Sequence, residues 1–243
     1  MEPWKIAAGE FLDALDAALF SGRRLAGLLF FTAGCWVLYV PLHELLHALG
    51  AIASGGSVQE LQIQSLYGGR ILERIFPFVR SGGKYAGRLT RFDTNGSDLV
   101  YLAIDLAPFV PTALAASTLL RIARARKSIV LLAPGTMLVV APLLSLTGDL
   151  YEAGSVLLTA LALPPAGFLV DRDRWMALRS DDLVALLGEF TARFPTHRVL
   201  FGTAVTISAL LGMAVGGLIL HLSALLADRW TRGTTQIARD AAS

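Results

Sequence analysis

The stretch from Leu25 to Ala53 carries a single charged residue, Glu44, and that residue lies inside His43-Glu44-Leu45-Leu46-His47. A run this apolar is longer than the about 20 helical residues that cross a bilayer core. In lipid, a segment must satisfy its own backbone, so a helix is the expected form. Ionisable groups in such a helix are costly and mark a functional site by default. Residues four apart share a helix face, so His43 and His47 project together, with Glu44 beside them. Two neutral imidazoles at that spacing can bind one zinc ion, and the adjacent carboxylate can act as general base. The competing reading is a polar cluster that joins membrane helices by hydrogen bonds.

Composition agrees with a membrane setting. Of the 243 residues, 54% are hydrophobic and 16% are charged, against about 25% charged in soluble domains. The net charge is only +2, and the basic residues fall mostly between apolar runs, which suits membrane topology and not nucleic-acid binding. Cys35 is the one cysteine, so neither a disulfide framework nor a cysteine metal site exists within the chain.

The expected fold class is an α-helical polytopic membrane protein. It has four to five transmembrane helices and a small membrane-associated β-hairpin region after the first. Residues 1–22 read as an N-terminal amphipathic segment, interfacial or packed as an ordinary helix. Residues 25–170 form the intramembrane core, with helices at about 25–53, 99–120, 128–147 and 150–170, the last two reading either as two short spans or as one broken, re-entrant arrangement. Between the first two lies a strand-rich loop, 54–97. Turn signals there are Tyr67-Gly68-Gly69, Ser81-Gly82-Gly83 and Asn95-Gly96. Its apolar Ile71, Leu72, Ile75, Phe76, Phe78 and Val79 are expected to lie against bilayer or helices, and six basic residues could meet lipid headgroups. Pro108 and Pro111 inside the second span free carbonyls that protein or a polar cavity must satisfy. Arg121, Arg124, Arg126 and Lys127 read as a tight basic turn. Residues 171–198 form a polar loop with an amphipathic helix starting near Ser180-Asp181-Asp182. The last span is 199–227, where Gly212-Met213-Ala214-Val215-Gly216 suits internal helix packing. A polar tail, 228–243, follows.

A catalytic zinc takes three protein ligands and keeps one position open. Four histidines are present. His197 sits in the polar loop and His221 near the far end of the last span, and both read as interfacial or packing residues. A carboxylate is the better third ligand. Asp149 and Glu152 are three apart at an acidic break between apolar runs and can share a helix face. Asp105 is a weaker candidate.

These elements resemble the site-2 protease family of intramembrane zinc metalloproteases. That family carries HExxH on a first core helix, an Ala-Gly-Pro-type element on a second, and a Leu-Asp-Gly element in a third region. Here His43-Glu44-Leu45-Leu46-His47, Leu106-Ala107-Pro108 and Gly148-Asp149 come in the same order, over roughly residues 25–157. The family's β-hairpin region corresponds to 54–97. The chain departs from the pattern at Leu46, where the family often has Gly, and at Pro111, where it has Asn. It also has no PDZ-sized insertion. The family's third ligand falls on Asp149 when Gly148-Asp149 is set against Leu-Asp. It falls on Glu152 when Glu152-Ala153-Gly154 is set against Asp-Gly-Gly, and Asp149 is preferred.

The resemblance implies an intramembrane zinc endopeptidase holding Zn²⁺ on His43, His47 and Asp149, with Glu44 as base. Its partners would be the lipid bilayer and the transmembrane segment of another membrane protein. The segment would be held by the 54–97 loop or near Pro108. The implied location is a bacterial plasma membrane. Two other classes stay open: a non-catalytic metal-binding membrane scaffold, and an ion or metal transporter using the His-carboxylate cluster. Substrate, orientation and oligomeric state are written in no residue pattern.

Overall fold

The computed structural model describes residues 3–166, 172–180 and 182–240. The end of the expected 150–170 helix, Asp181 and the last residues of the tail lie outside the described residues. Four helical stretches are long and apolar enough to cross a membrane, as a multi-pass membrane protein requires: Gly22–Ala53, Asp98–Arg126, Ile129–Thr147 and Arg198–Arg232.

In chain order the helices begin with α1 (Pro3–Ala18) and α2 (Gly22–Ala53), which runs straight through Pro41 and the histidine motif. Strand β1 (Ser57–Ile63) follows, then the short helix α3 (Gly69–Ile75), β2 (Val79–Ser81) and β3 (Gly87–Asp93). Next come α4 (Asp98–Leu106), a single turn at Ala107–Phe109, α5 (Val110–Arg126) and α6 (Ile129–Leu144). After a turn at Ser145–Thr147, α7 (Asp149–Ala166) leads to the short α8 (Arg172–Met176), α9 (Leu183–Gly188) and α10 (Phe190–Arg193). The chain ends on α11 (Arg198–Asp240). The chain divides into two compact units, one of residues 1–36, 109–142 and 217–243, the other of residues 37–108 and 143–216.

In the first unit α1 packs on α5 through small residues. Ala7, Ala14 and Ala18 are buried, while Leu12 points outward. The Arg121 guanidinium ties three helices: Nε and Nη2 donate to Glu10 Oε1 at 2.8 and 2.6 Å, and Nη1 donates to Asp228 Oδ1 at 2.6 Å. Arg124 reaches Asp13 at 2.7 Å. The expected basic turn at 121–127 is therefore helix as far as Arg126, and the turn comes at Lys127, whose φ of 48° is left-handed. Pro142 has no N–H for the carbonyl four residues back, that of Leu138. Thr112 Oγ1 supplies the missing donor at 3.0 Å.

The second unit holds the sheet. Its order is β2-β1-β3, with β1 parallel to β2 and antiparallel to β3. The expected hairpin is thus corrected to a three-stranded mixed sheet. A two-residue hairpin turn cannot join parallel strands, and α3 is the crossover between β1 and β2. Alternation puts Leu61 and Ile63 inward, fully buried with Val79 against Ala48 of α2. Leu72, Phe76 and Phe78 pack onto the same cluster, whereas Ile71 and Ile75 stay exposed. Burying one such aliphatic side chain stabilises by about 1.5–3 kcal/mol, so the sheet is fixed on the motif-bearing end of α2. Glu60 bonds Gln62, Thr90 and Arg91. The Gln62 amide first, then the Thr90 hydroxyl and Arg91, outweigh desolvation and hold the Glu60 carboxyl below the usual carboxylate range.

Residues 171–198 are less loop-like than their polarity suggests. Trp175, Leu178, Leu186 and Phe194 are buried with Tyr151 and Phe201 in one apolar cluster. The Phe194 and Phe201 rings stack with centroids 4.2 Å apart. The amphipathic helix starts where Asp182 accepts from the Ala185 N–H, and it breaks at Glu189 into α9 and α10. A Cβ on Gly212 would collide with the Leu150 carbonyl, and one on Gly154 with the Ser208 carbonyl. This close crossing of α7 and α11 is internal packing, as the small-residue spacing suggests.

Candidate metal centre

His43, Glu44 and His47 lie on the last turns of α2, where the sheet packs against Leu45 and Ala48. Across from them, the turn at Ser145–Thr147 ends on Gly148, and α7 starts at Asp149. That start carries the Asp149 carboxylate to the two imidazoles. His43 Nε2 lies 3.0 Å from Asp149 Oδ2, His47 Nε2 lies 3.5 Å from Asp149 Oδ1, and the two Nε2 atoms are 3.2 Å apart. Ligands bound tetrahedrally at about 2.0–2.2 Å sit about 3.3–3.6 Å from one another. One ligand atom from each of His43, His47 and Asp149 lies within 4.8 Å of the others, close enough for the three to hold a metal ion.

Both outer nitrogens have partners. His47 Nδ1 is 2.8 Å from the Ile104 carbonyl, which only accepts, so Nδ1–H donates, and in the neutral ring Nε2 keeps its lone pair. His43 Nδ1 is 3.1 Å from Tyr39 Oη. With Nδ1–H of His43 donating to that hydroxyl, both Nε2 lone pairs and a carboxylate face one point. Three electron-rich atoms so arranged could hold a cation between them. His47 and its carbonyl partner are buried, so water does not compete.

Glu44 stands against the sheet. A Cβ on Gly87 would overlap Cγ of Glu44 and come within 3.0 Å of its Oε1. The carboxylate is thus wedged between α2 and the first residue of β3. Because the sheet order is β2-β1-β3, the outer edge of β3 has no strand beside it among the described residues.

Of the carboxylates named from sequence, Asp149 joins the histidines. Glu152 turns to α4, where its Oε1 accepts from Tyr101 Oη at 2.6 Å. Asp105 is 2% exposed, and its Oδ2 is buried without a hydrogen-bond partner among the described residues. His197 is exposed, at the start of α11 with φ 55°. Neither it nor His221 belongs to the metal-sized group among the described residues. Pro108 is buried in the turn after α4. Sequence reading missed Tyr39, Ile104, Gly87, Tyr101 and Arg179, whose guanidinium joins Thr159 and Asp98 at 2.8 and 2.7 Å. Tyr39 had a readable signal, being four residues before His43 and so on its face. The Ile104 contact is through a backbone carbonyl, which no side-chain pattern reveals.

No family model matches this chain, and neither a curated protein nor a solved structure is similar to it.

Proposed function

We propose that this chain is an intramembrane zinc endopeptidase, akin to the site-2 protease family, with His43, His47 and Asp149 as zinc ligands and Glu44 as general base. The observation that carries the reading is the metal-sized group of two imidazoles and one carboxylate, with Glu44 one residue along the same helix. Two histidines and one carboxylate leave the fourth position open, as hydrolytic zinc sites do. Zinc, when bound, supplies the Lewis acid that acidifies a water molecule and polarises a peptide carbonyl. Glu44 takes the water's proton on its carboxylate and delivers it to the leaving amine. The Ile104 carbonyl holds the His47 ring in the ligating tautomer, and Tyr39 Oη anchors Nδ1 of the His43 ring.

The substrate is the transmembrane segment of another membrane protein. A helix hides its peptide bonds, so the segment must unwind locally before cleavage. An unwound strand has somewhere to go: it can add to the free edge of β3, whose first residue touches Glu44. A structural metal site or a cation-transport cluster has no use for a carboxylate held beside the ligands and next to an open strand edge.

The test is Glu44→Gln in purified protein. Stoichiometric zinc should remain, while cleavage of a membrane-embedded peptide falls by about 10²–10⁴-fold. Cleavage at wild-type rate in that variant would sink the mechanism. Absence of bound metal in the wild-type protein would sink the site.

A further inference from the structure

The Ile104 carbonyl is available to His47 for a reason that lies in the sequence. In an α-helix the carbonyl of residue 104 receives the N–H of residue 108. Residue 108 is proline, which has no N–H. The carbonyl is left over by the helix, and His47 Nδ1 lies 2.8 Å from it. The neighbouring carbonyl is served in the ordinary way: Ala103 O accepts from the Ala107 N–H. The carbonyl that Pro108 frees is therefore the one that faces the histidine. The same device operates at Pro142, which frees the Leu138 carbonyl for Thr112 Oγ1 at 3.0 Å. Close approach of the two helices makes the reach possible, since Gly50, three residues past His47, lies against the Ala103 carbonyl and leaves no room for a Cβ.

We propose that Pro108 is a positioning residue of the metal centre. By withholding its N–H it reserves the Ile104 carbonyl for His47 Nδ1–H, which orients the ring and keeps the Nε2 lone pair on the metal side. This rests on the reading of His43, His47 and Asp149 as metal ligands. Pro108 touches neither metal nor substrate in this role; it acts through a backbone oxygen. With an N–H at position 108, the helix and the histidine compete for one acceptor, and the imidazole loses both its tautomer preference and its anchor.

The experiment is zinc affinity of the full chain in detergent, by competition against a chelating dye, for wild type, Pro108→Ala and Pro142→Ala. Outer-shell partners of a ligating histidine typically contribute about 10–100-fold in affinity, and Pro108→Ala should lose that much. Thermal unfolding of the metal-free variant should be unchanged or higher, because alanine is the better helix residue. A merely structural proline would give the opposite pattern, lower stability with intact affinity. Pro142→Ala removes the same chemistry from a carbonyl that serves a threonine and should leave zinc affinity unchanged. If Pro108→Ala does not purify as a single species, Pro108→Ser restores the same N–H and takes its place. Unchanged affinity in the position-108 variant overturns the proposal, as does an equal loss in both proline variants. A wild-type chain that binds no zinc overturns the metal reading itself, which is a separate result.

Discussion

Gly87 lies against Glu44, the side chain expected to react. Glycine is needed at 87 because its Cα faces Cγ of Glu44, and a methyl group there would occupy the carboxylate's stem. In Gly87→Ala the clash is with Cγ, which cannot swing aside as a side-chain tip can. The carboxylate must therefore move. The three atoms nearest that Cβ position all belong to Glu44, so the first clash falls on the base and not on a histidine or Asp149. The expected outcome is a split effect. Zinc binding stays within about threefold of wild type, while cleavage falls by about 10²-fold, the usual loss when a reacting group is misplaced by about 1 Å. Parallel zinc titration and a peptide-cleavage assay check it. Equal cleavage in the variant would show that Glu44 has freedom to relocate, or has no part in the chemistry.

Helices α4 and α7 meet along a polar seam beside the candidate metal site. Tyr101 on α4 donates to Glu152 on α7 at 2.6 Å, and Arg179 ties the start of α4 at Asp98 to Thr159 of α7. Tyr101→Phe removes one donor from a largely buried carboxylate. A hydrogen bond to a charged group contributes about 1.5–3 kcal/mol, so the metal-free protein should lose about that much against denaturant. No loss would mean that Glu152 finds an equal partner elsewhere. Sequence reading reached such elements unevenly. The long spans and the HExxH face were legible because both are local periodicities: one apolar run, one repeat of four. The sheet was legible as strands but not as a topology. Glycine pairs at 68–69 and 82–83 read as hairpin turns, yet α3 makes β1 and β2 parallel, and its seven residues are too few for a periodic signal. The helix through Arg126 was missed because its arginines find Glu10 and Asp13, 111 residues away. Asp149 could be named beforehand because it opens a helix after an apolar run. The family alignment prefers it to Glu152, and the turn at Gly148 sets the first residue of α7, and not the fourth, beside the histidines.

At the scale of the molecule, the question is how much of the fold depends on the metal. Zinc fingers unfold without it because their cores are too small to hold alone. Here the outward faces of the long helices are apolar, with Phe30 and Leu38 of α2 76% and 73% exposed, a surface that only lipid or another apolar partner covers. The inward faces carry buried clusters of their own, around Leu61 and Ile63 and around Tyr151 and Phe201. Neither cluster includes a metal ligand. The chain should therefore stay in the membrane pellet through an alkaline carbonate wash and keep its helical circular dichroism when zinc is stripped by a chelator. Metal loss should act as loss of a ligand from the folded state. A site at 100 times its Kd contributes about 2.7 kcal/mol, so the melting temperature falls by a few degrees while cleavage is abolished. Added zinc should restore both. Collapse of the helical signal on chelation would mean that the triangle of His43, His47 and Asp149 holds α2 and α7 together, and that the apolar packing described here is insufficient without it.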